Sequence, residues 1–316
     1  MASPGPKALA ASAETTLYGG ISTGMKPVGI YSTTTATPPT LTPLASISSV
    51  TPSAGVYIDG YYHVLSAYIR GSKVLLTTLE KYDTNTWQIV ESLSSGTDVP
   101  TSLVYNPKDG KTYGCYPANS SLFRLCTLDL TSGVKTNGGV LDQRYVALFT
   151  DNSGKVYGIG LDGNLCQLNL ETAEATVIGA TGVTPSIDVQ DACFDESTNT
   201  VYWFAHTADE SSLYTVDVTT GKATKVTDFA SPAIRWAGVF AKPAKKVEKP
   251  AFIAKMRTEF DKSSLTGKFI FTMPDKTESG EALTSNLSYK FFLNDAEYKT
   301  GEGAPGAEVE VPVTVP

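Results

Sequence analysis

The sequence has few of the residues that most often build catalytic and metal sites. Its 316 residues include two histidines, four cysteines and four methionines. None of the cysteines forms a CxxC pair or stands at the Cys/His spacing of a zinc site. We therefore expect no transition-metal site, no cofactor and no catalytic residue among them.

Positive charge and long apolar runs are also scarce. The 25 Lys and Arg against 32 Asp and Glu give a net charge of −7 without a basic patch, which excludes nucleic acid and anionic membrane surfaces as expected partners. No stretch approaches the roughly 18 apolar residues of a membrane span. By contrast, Gly, Thr, Ser and Tyr are abundant and only 18% of residues are charged, a composition that predicts short strands and tight turns.

A repeat organises the sequence up to residue 241. Five segments share a small second residue, and their fourth residue is Tyr, Val or Phe; their starts lie 47, 45, 45 and 46 residues apart. The segments are 54–58, 101–105, 146–150, 191–195 and 237–241. A period of 40 to 50 residues is typical of the blades of a β-propeller, in which the innermost strands crowd around an axis and need small side chains.

Further columns of the same repeat supply the other strands. A tyrosine column at 18, 62, 113, 157 and 202 follows Gly- or Asn-containing turns, and a third column covers 125–130, 165–170 and 213–218. The strand at Tyr18 belongs to the second column, but no inner strand precedes it in the sequence. The inner strand at 237–241, in turn, is not followed by a second strand, so it completes the blade that begins at Tyr18. The fold predicted is all-β, a five-bladed β-propeller closed by pairing of its N- and C-terminal strands.

Four segments follow from this pattern. Residues 1–13 are a flexible tail or the remnant of a signal peptide, because Ala11, Ser12 and Ala13 form a small-residue cleavage pattern without an apolar region before it. The propeller covers 14–243 and a Pro/Lys linker covers 244–250. Residues 251–316 alternate as half-buried strands at 252–256, 267–273, 287–293 and 307–311. They are shorter than a complete sandwich, so we expect a partial fibronectin type III-like domain.

The C-terminal segments 268–283, 289–294 and 304–312 resemble fibronectin type III modules of surface and secreted proteins from anaerobic gut bacteria. The segment 14–20 and the Gly-Lys-x-Tyr-Gly hairpins at 110–114 and 154–158 are similar to the propellers that precede those modules. The resemblance implies an exported protein, extracellular or in the cell envelope, and a multidomain parent. It implies no catalytic residue.

Ligands of propellers usually bind at the mouth of the central channel, where the innermost strands begin. Residues at or just before those strands combine charged, amide and aromatic side chains that suit a polar ligand such as a carbohydrate. The candidate ligand-binding residues are Asp98, Arg144, Tyr145, Asp188, Gln190, Asp191, Arg235 and Trp236. The alternative is structural: the arginines pair with Asp188 or Asp98, and Trp236 plugs the channel.

Three functions stay open. We favour a non-enzymatic binding or adhesion protein that recognises glycans or surface proteins, and we expect a monomer. A structural spacer that displays other domains is the second hypothesis, favoured if side chains fill the channel. A glycosidase or lyase is the third; it requires two exposed acids, roughly 5 to 9.5 Å apart beside a cleft, from Asp98, Asp188 and Asp191.

The remaining cysteines and histidines are expected to be structural. We predict buried free thiols, with a Cys115–Cys126 bridge as the alternative in an exported protein. His63 and His206 are predicted to be packed or surface residues, because no nucleophile motif stands near either in the sequence.

Overall fold

The structure is a computed structural model that describes residues 15–47, 50–71, 73–242, 250–251, 253, 255–278, 280 and 282–314. Within these ranges there are strands, turns and loops but no α-helix, which confirms the all-β prediction. The chain divides into two units, residues 1–244 and 245–316. The predicted tail 1–13 and most of the predicted linker 244–250 lie outside the described residues. The described part of the chain holds no helix long and apolar enough to cross a membrane.

The first unit consists of five antiparallel sheets. The first has the order β21-β1-β2-β3, with β1 Thr16–Thr23, β2 Gly29–Thr34, β3 Thr42–Ser46 and β21 Arg235–Ala241. The second runs β4 Thr51–Ile58, β5 Tyr61–Arg70, β6 Lys73–Asp83 and β7 Gln88–Ser94. The third comprises β8 Leu103–Asn106, β9 Lys111–Pro117, β10 Phe123–Leu128 and two short strands that both pair with β10, β11 Lys135–Thr136 and β12 Val140–Leu141.

The other two sheets repeat the simple order of the second. The fourth runs β13 Tyr145–Thr150, β14 Val156–Gly160, β15 Asn164–Leu168 and β16 Ala175–Ala180. The fifth runs β17 Asp191–Asp195, β18 Thr200–His206, β19 Ser211–Val216 and β20 Ala223–Asp228. The five predicted inner segments thus coincide with β4, β8, β13, β17 and β21, to within a few residues at each end.

The inner strands contact one another in a cycle. Contacts run from β4 to β8, from β8 to β13, from β13 to β17, from β17 to β21 and from β21 back to β4. None of the five contains an exposed residue, so each is covered on both faces. Strands covered on both faces are apolar nearly throughout, which explains why these segments lack clean alternation.

The hydrophobic core of this unit consists of five clusters, each between two successive sheets. Phe240 and Tyr62 belong to the cluster of the first and second sheets, and Leu65 and Tyr116 to the next. Tyr145 joins the third and fourth sheets, and Trp203 the fourth and fifth. The last cluster, with Trp236, lies between the fifth sheet and the first. Each sheet therefore buries both of its faces.

The turns of the repeat use the same chemistry in different sheets. Asp129, Asn169 and Asp217 each follow a third strand and accept hydrogen bonds from backbone N–H groups two or three residues further on. Such local bonds favour a turn over continued pairing. They end the third strands at equivalent positions.

All four cysteines are buried and free, as the default prediction held. The alternative Cys115–Cys126 bridge is wrong, because Cys115 lies opposite Leu125 and Cys126 lies opposite Gly114 in the β9–β10 register. Side chains of directly opposed residues share a face of the sheet, and neighbouring residues alternate between faces. Cys115 accordingly packs toward the fourth sheet and Cys126 toward the second.

The second unit contains two sheets. One has the order β22-β23-β26, with β22 Met256–Asp261, β23 Thr266–Thr272 and β26 Glu308–Thr314. The other pairs β24 Leu287–Leu293 with β25 Ala296–Gly303, a strand that the alternation in the sequence did not single out. A small core of Phe271, Met273 and Val311 holds the unit together. All six residues of β22 are exposed.

Candidate functional site

An ion pair lies where two of the inner strands begin. Arg235, the first residue of β21, donates from Nη2 to Asp188 Oδ2 over 3.0 Å. Its Nη1 donates to the hydroxyl of Thr23 and to the carbonyl of Ala233. The Asp188 side chain remains 43% exposed, so the pair faces solvent. This contact is the arginine–carboxylate pairing that the structural alternative predicted.

Two further side chains, which the sequence did not point to as a pair, adjoin Asp188. Ser186 Oγ lies 2.7 Å from His206 Nδ1, and His206 Nε2 lies 2.9 Å from the carbonyl oxygen of Pro232. A carbonyl oxygen only accepts, so Nε2 carries the proton and Nδ1 accepts from the serine hydroxyl. Burial and the nearby Arg235 lower the pKa of His206, which keeps the ring neutral.

No sequence motif could have revealed this contact, because 20 residues separate Ser186 from His206 and the pairing depends on the backbone bond from Ser186 N to His206 O. The Ser186 hydroxyl also accepts from the backbone N–H of Asp188, an ordinary serine turn. We call Arg144, Ser186, Asp188, His206 and Arg235 the mouth cluster.

Arg144, another member of the mouth cluster, forms no ion pair with any residue that the structure describes. It lines a cleft of about 360 Å³, which we call the side cleft, together with Asp188, Phe123 and Ser120. Its guanidinium carbon lies 5.7 Å from the centre of the Phe123 ring. Its Nε is buried without a hydrogen-bond partner.

Four other predicted ligand residues lie elsewhere. Asp98 is exposed but pairs with Lys135. Tyr145 and Trp236 are fully buried: Tyr145 donates to Asp142 over 2.9 Å, and Trp236 packs against Phe204 and Phe229.

Gln190, also buried, joins segments of the fifth sheet by donating to the carbonyls of Ser186 and His206. It also accepts from the indole N–H of Trp203. We leave these four residues out of the candidate site, because three are buried in the structure and Asp98 already pairs with Lys135.

Asp191, the eighth predicted residue, lies at the centre of the inner strands with 2% of its surface exposed. Its carboxylate accepts from the hydroxyl of Ser102 over 2.6 Å, from Gly238 N over 2.8 Å and from Ala192 N over 3.0 Å. The Ser102 hydroxyl in turn accepts from Leu148 N over 2.9 Å. We call these bonds the axial network.

The axial network lies between the inner strands, where they approach one another. Asp191 starts β17, Ser102 stands directly before β8, Leu148 lies in β13 and Gly238 in β21. Gly238 has φ +58°, and a Cβ there would lie 2.5 Å from the backbone nitrogen of Gly55 in β4. The network therefore links residues at four of the inner strands, and β4 approaches it through Gly55; glycine is required at position 238 by conformation and by space.

Burial raises the pKa of Asp191 to about 7, against the lowering effect of its hydrogen-bond donors. A cavity of about 250 Å³ begins beyond the network and is lined by the later halves of the inner strands, including Tyr57, Tyr105 and Phe194. The mouth cluster and this cavity are thus at opposite ends of the inner strands.

The three acids predicted for a glycosidase differ in their surroundings. Asp191 is buried and saturated with donors, and Asp98 and Asp188 each hold a cation. Within the described ranges, no group of three or more His, Cys, Asp or Glu residues is placed to hold a metal ion. What the site offers is a solvent-facing set of hydrogen-bond donors beside a cleft.

Comparison with known proteins gives distant likenesses. The chain is similar to a chain of the nidogen/laminin complex at 8% identity, with a TM-score of 0.45 over 72% of this chain and 98% of that one. It is also similar to a protein of unknown function from Bacteroides thetaiotaomicron, at 10% identity and TM-score 0.39 over 82% and 74%.

A third likeness is to a GH43 β-1,3-galactosidase, at 10% identity and TM-score 0.40 over 72% of this chain and 53% of that one. No protein-family model and no curated protein sequence matches the chain. At these TM-scores the likenesses assign neither a family nor a function.

Proposed function

We propose that residues 15–242 form a closed five-bladed β-propeller that serves as a non-enzymatic binding module of an exported protein. The cyclic contacts of the inner strands, the pairing of β21 with β1 and the five clusters between successive sheets support this architecture. The second unit is, in this proposal, a partial fibronectin type III-like domain. The ligand is a glycan or a glycosylated surface protein, bound at the mouth cluster.

The observation that carries the proposal is the combination of the solvent-facing Asp188–Arg235 pair with the side cleft next to it. Arginine and carboxylate side chains at the edge of a cleft donate to and accept from sugar hydroxyls in fixed directions. A cleft of about 360 Å³ lies within the size range of small-ligand sites.

The two other hypotheses differ in how they fit the structure. The enzyme hypothesis loses Asp191, which is buried in the axial network, and retains two exposed acids, Asp98 and Asp188, each of which pairs with a cation. The spacer hypothesis gains from the same network, since it fills part of the axis with side chains, although a cavity lies beyond it. The mouth cluster lies off that axis, however, and the network does not occupy it.

The test is a glycan-array and mucin-binding screen of the full chain and of the variant Asp188→Ala/Arg235→Ala. A matched control is Lys290→Ala/Glu297→Ala, which removes an exposed pair of 2.8 Å from the second unit. We expect the wild type and the control to bind the same glycans and the mouth variant to lose them. Absence of binding to every glycan and mucin by the wild type would overturn the proposal and leave the spacer hypothesis.

A further inference from the structure

Arg144 has an unusual environment for an arginine. Its side chain is half-buried, yet no carboxylate lies within ion-pair distance and no acceptor satisfies its guanidinium among the described residues. Desolvation lowers its pKa, the sign of a cation whose charge is incompletely compensated. Leaving a charged donor partly buried without an acceptor costs free energy, so a partner from outside the chain would stabilise it.

The surroundings of Arg144 prepare its guanidinium for such a partner. The guanidinium carbon lies over the Phe123 ring, 5.7 Å from its centre, so a cation–π contact helps to position the guanidinium. The walls of the side cleft next to it are apolar, formed by Val99, Pro100 and Val189. Ser120, at the rim, adds a hydroxyl that forms no hydrogen bond within the described chain. The side cleft therefore offers one cationic fork, the Ser120 hydroxyl, the Asn119 amide and apolar walls, beside an Asp188 carboxylate that Arg235 pairs.

The charge of the mouth cluster favours a ligand with a negatively charged group. Asp188 is neutralised by Arg235, and His206 is neutral because both burial and Arg235 lower its pKa. The positive charge of Arg144 is then not compensated by an ion-pair partner, in a chain whose net charge is −7. A local positive charge in an acidic protein attracts an anionic group to this cleft and not to the rest of the surface.

We propose that Arg144 binds the carboxylate of an acidic sugar, a uronic acid or a sialic acid, in the side cleft. A planar carboxylate matches the two parallel N–H donors of a guanidinium, and the sugar ring fits between the apolar walls with its hydroxyls toward Ser120. This inference rests on the proposed function, since it names the class of glycan that the mouth cluster recognises.

The experiment measures the affinity of the full chain for two matched pairs of probes by biolayer interferometry. One pair is trigalacturonate and its methyl ester, and the other is 3′-sialyllactose and lactose. We expect one acidic probe to bind about tenfold to a hundredfold more tightly than its neutral partner, the range that a bidentate charge-assisted contact supplies. The pair that shows the preference distinguishes uronic acid from sialic acid.

Variants then assign the preference to Arg144. Arg144→Gln should abolish it, and Arg144→Lys should retain part of it, because lysine keeps the charge and loses the fork. Arg124→Gln is the matched control: it removes an arginine of the neighbouring third sheet that already donates to the Gly138 carbonyl, and it should keep the full preference. Thermal melts of all variants check folding, and Arg144→Lys carries the test if Arg144→Gln does not fold.

Equal affinity for the acidic and neutral members of both pairs overturns the inference, as does an undiminished preference in Arg144→Gln. If the array nevertheless shows neutral glycans bound in a manner that depends on Asp188 and Arg235, the proposed function stands and only the carboxylate inference falls. If the wild type binds no glycan on the array and no probe, both fall together.

Discussion

The carboxylate of Asp191 connects parts of the chain that are far apart in sequence. Its carboxylate oxygens accept hydrogen bonds from the hydroxyl of Ser102, 89 residues earlier, and from the backbone N–H of Gly238, 47 residues later, in one buried network. A fully buried acid is stable only when donors surround it, and here three donors do so. The consequence is a structural carboxylate at a position where the sequence favoured a ligand-binding one.

This buried acid makes the stability of the protein depend on pH in a direction opposite to that of ordinary surface acids. The folded state retains the Asp191 proton up to a pKa of about 7, whereas the unfolded chain releases it near its ordinary value of 3.8. The contribution of Asp191 is therefore complete below pH 4 and is lost as the pH rises through 7.

We predict that the free energy of unfolding of the wild type, measured in urea, falls between pH 5 and pH 8 by up to about 3 kcal/mol more than that of Asp191→Asn, which cannot ionise. The comparison isolates Asp191 from the histidines, which both proteins share. Asp217→Asn, at an exposed turn acid, should retain the slope of the wild type, because Asp217 is ionised throughout this range. Parallel slopes for the wild type and Asp191→Asn would contradict the role given to this carboxylate.

At the residue scale, the sequence pointed to the beginnings of the inner strands but not to which side chains face solvent there. Arg144 and Tyr145 are consecutive, as are Arg235 and Trp236, and consecutive residues of a strand point to opposite faces. In both pairs the arginine lies nearer solvent and the aromatic residue enters a cluster between two sheets. Alternation could have separated the members of each pair, whereas the Ser186–His206 contact required the folded backbone.

At the scale of the elements, the repeat in the sequence located the strands well. A Cβ at Gly238 would lie 2.5 Å from the backbone nitrogen of Gly55, and a Cβ at Gly55 would lie 2.7 Å from the backbone oxygen of His63, so close approach explains the glycine at each of these small-residue positions. In the second unit the alternation was less informative, since β22 begins at Met256, the last residue of the strand predicted at 252–256, and β25 was not singled out. Local alternation there was not reinforced by repetition, so strand ends were harder to place.

The strand β21 is the element on which the first unit most depends. It pairs with β1, which lies more than 200 residues earlier in the chain, and it supplies Trp236 to one cluster and Phe240 to another. Removing a buried Trp and a buried Phe costs about 3 to 5 kcal/mol each, a sum comparable to the whole stability of a typical domain.

We predict that a chain ending at residue 242 unfolds in one cooperative thermal transition, whereas a chain ending at residue 234 shows none. Circular dichroism at increasing temperature measures the difference. The two chains differ only in β21 and the residue after it, so the longer one is the control. A cooperative transition of similar midpoint in both chains would show that β21 is not needed to complete the sheet of β1 to β3.

At the scale of the whole molecule, the hydrophobic core of the first unit is divided among the interfaces between successive sheets. Five clusters separate five sheets, and the cluster between the last sheet and the first is as aromatic as any other, with Tyr31, Phe204, Phe229 and Trp236. The axial network then separates the mouth cluster from the cavity at the other end of the inner strands. A ligand of the mouth cluster is therefore expected to affect one end of the unit only.

Hydrogen exchange of the full chain, with and without the glycan that binds most strongly on the array, tests the location of the site most directly. We expect slower exchange in residues 117–123, 142–146 and 186–190, which line the side cleft and the mouth cluster. We expect unchanged exchange in residues 57–59 and 105–107 at the far end of the inner strands, and in the second unit. Protection confined to those far-end segments or to the second unit would contradict a binding site at the mouth cluster.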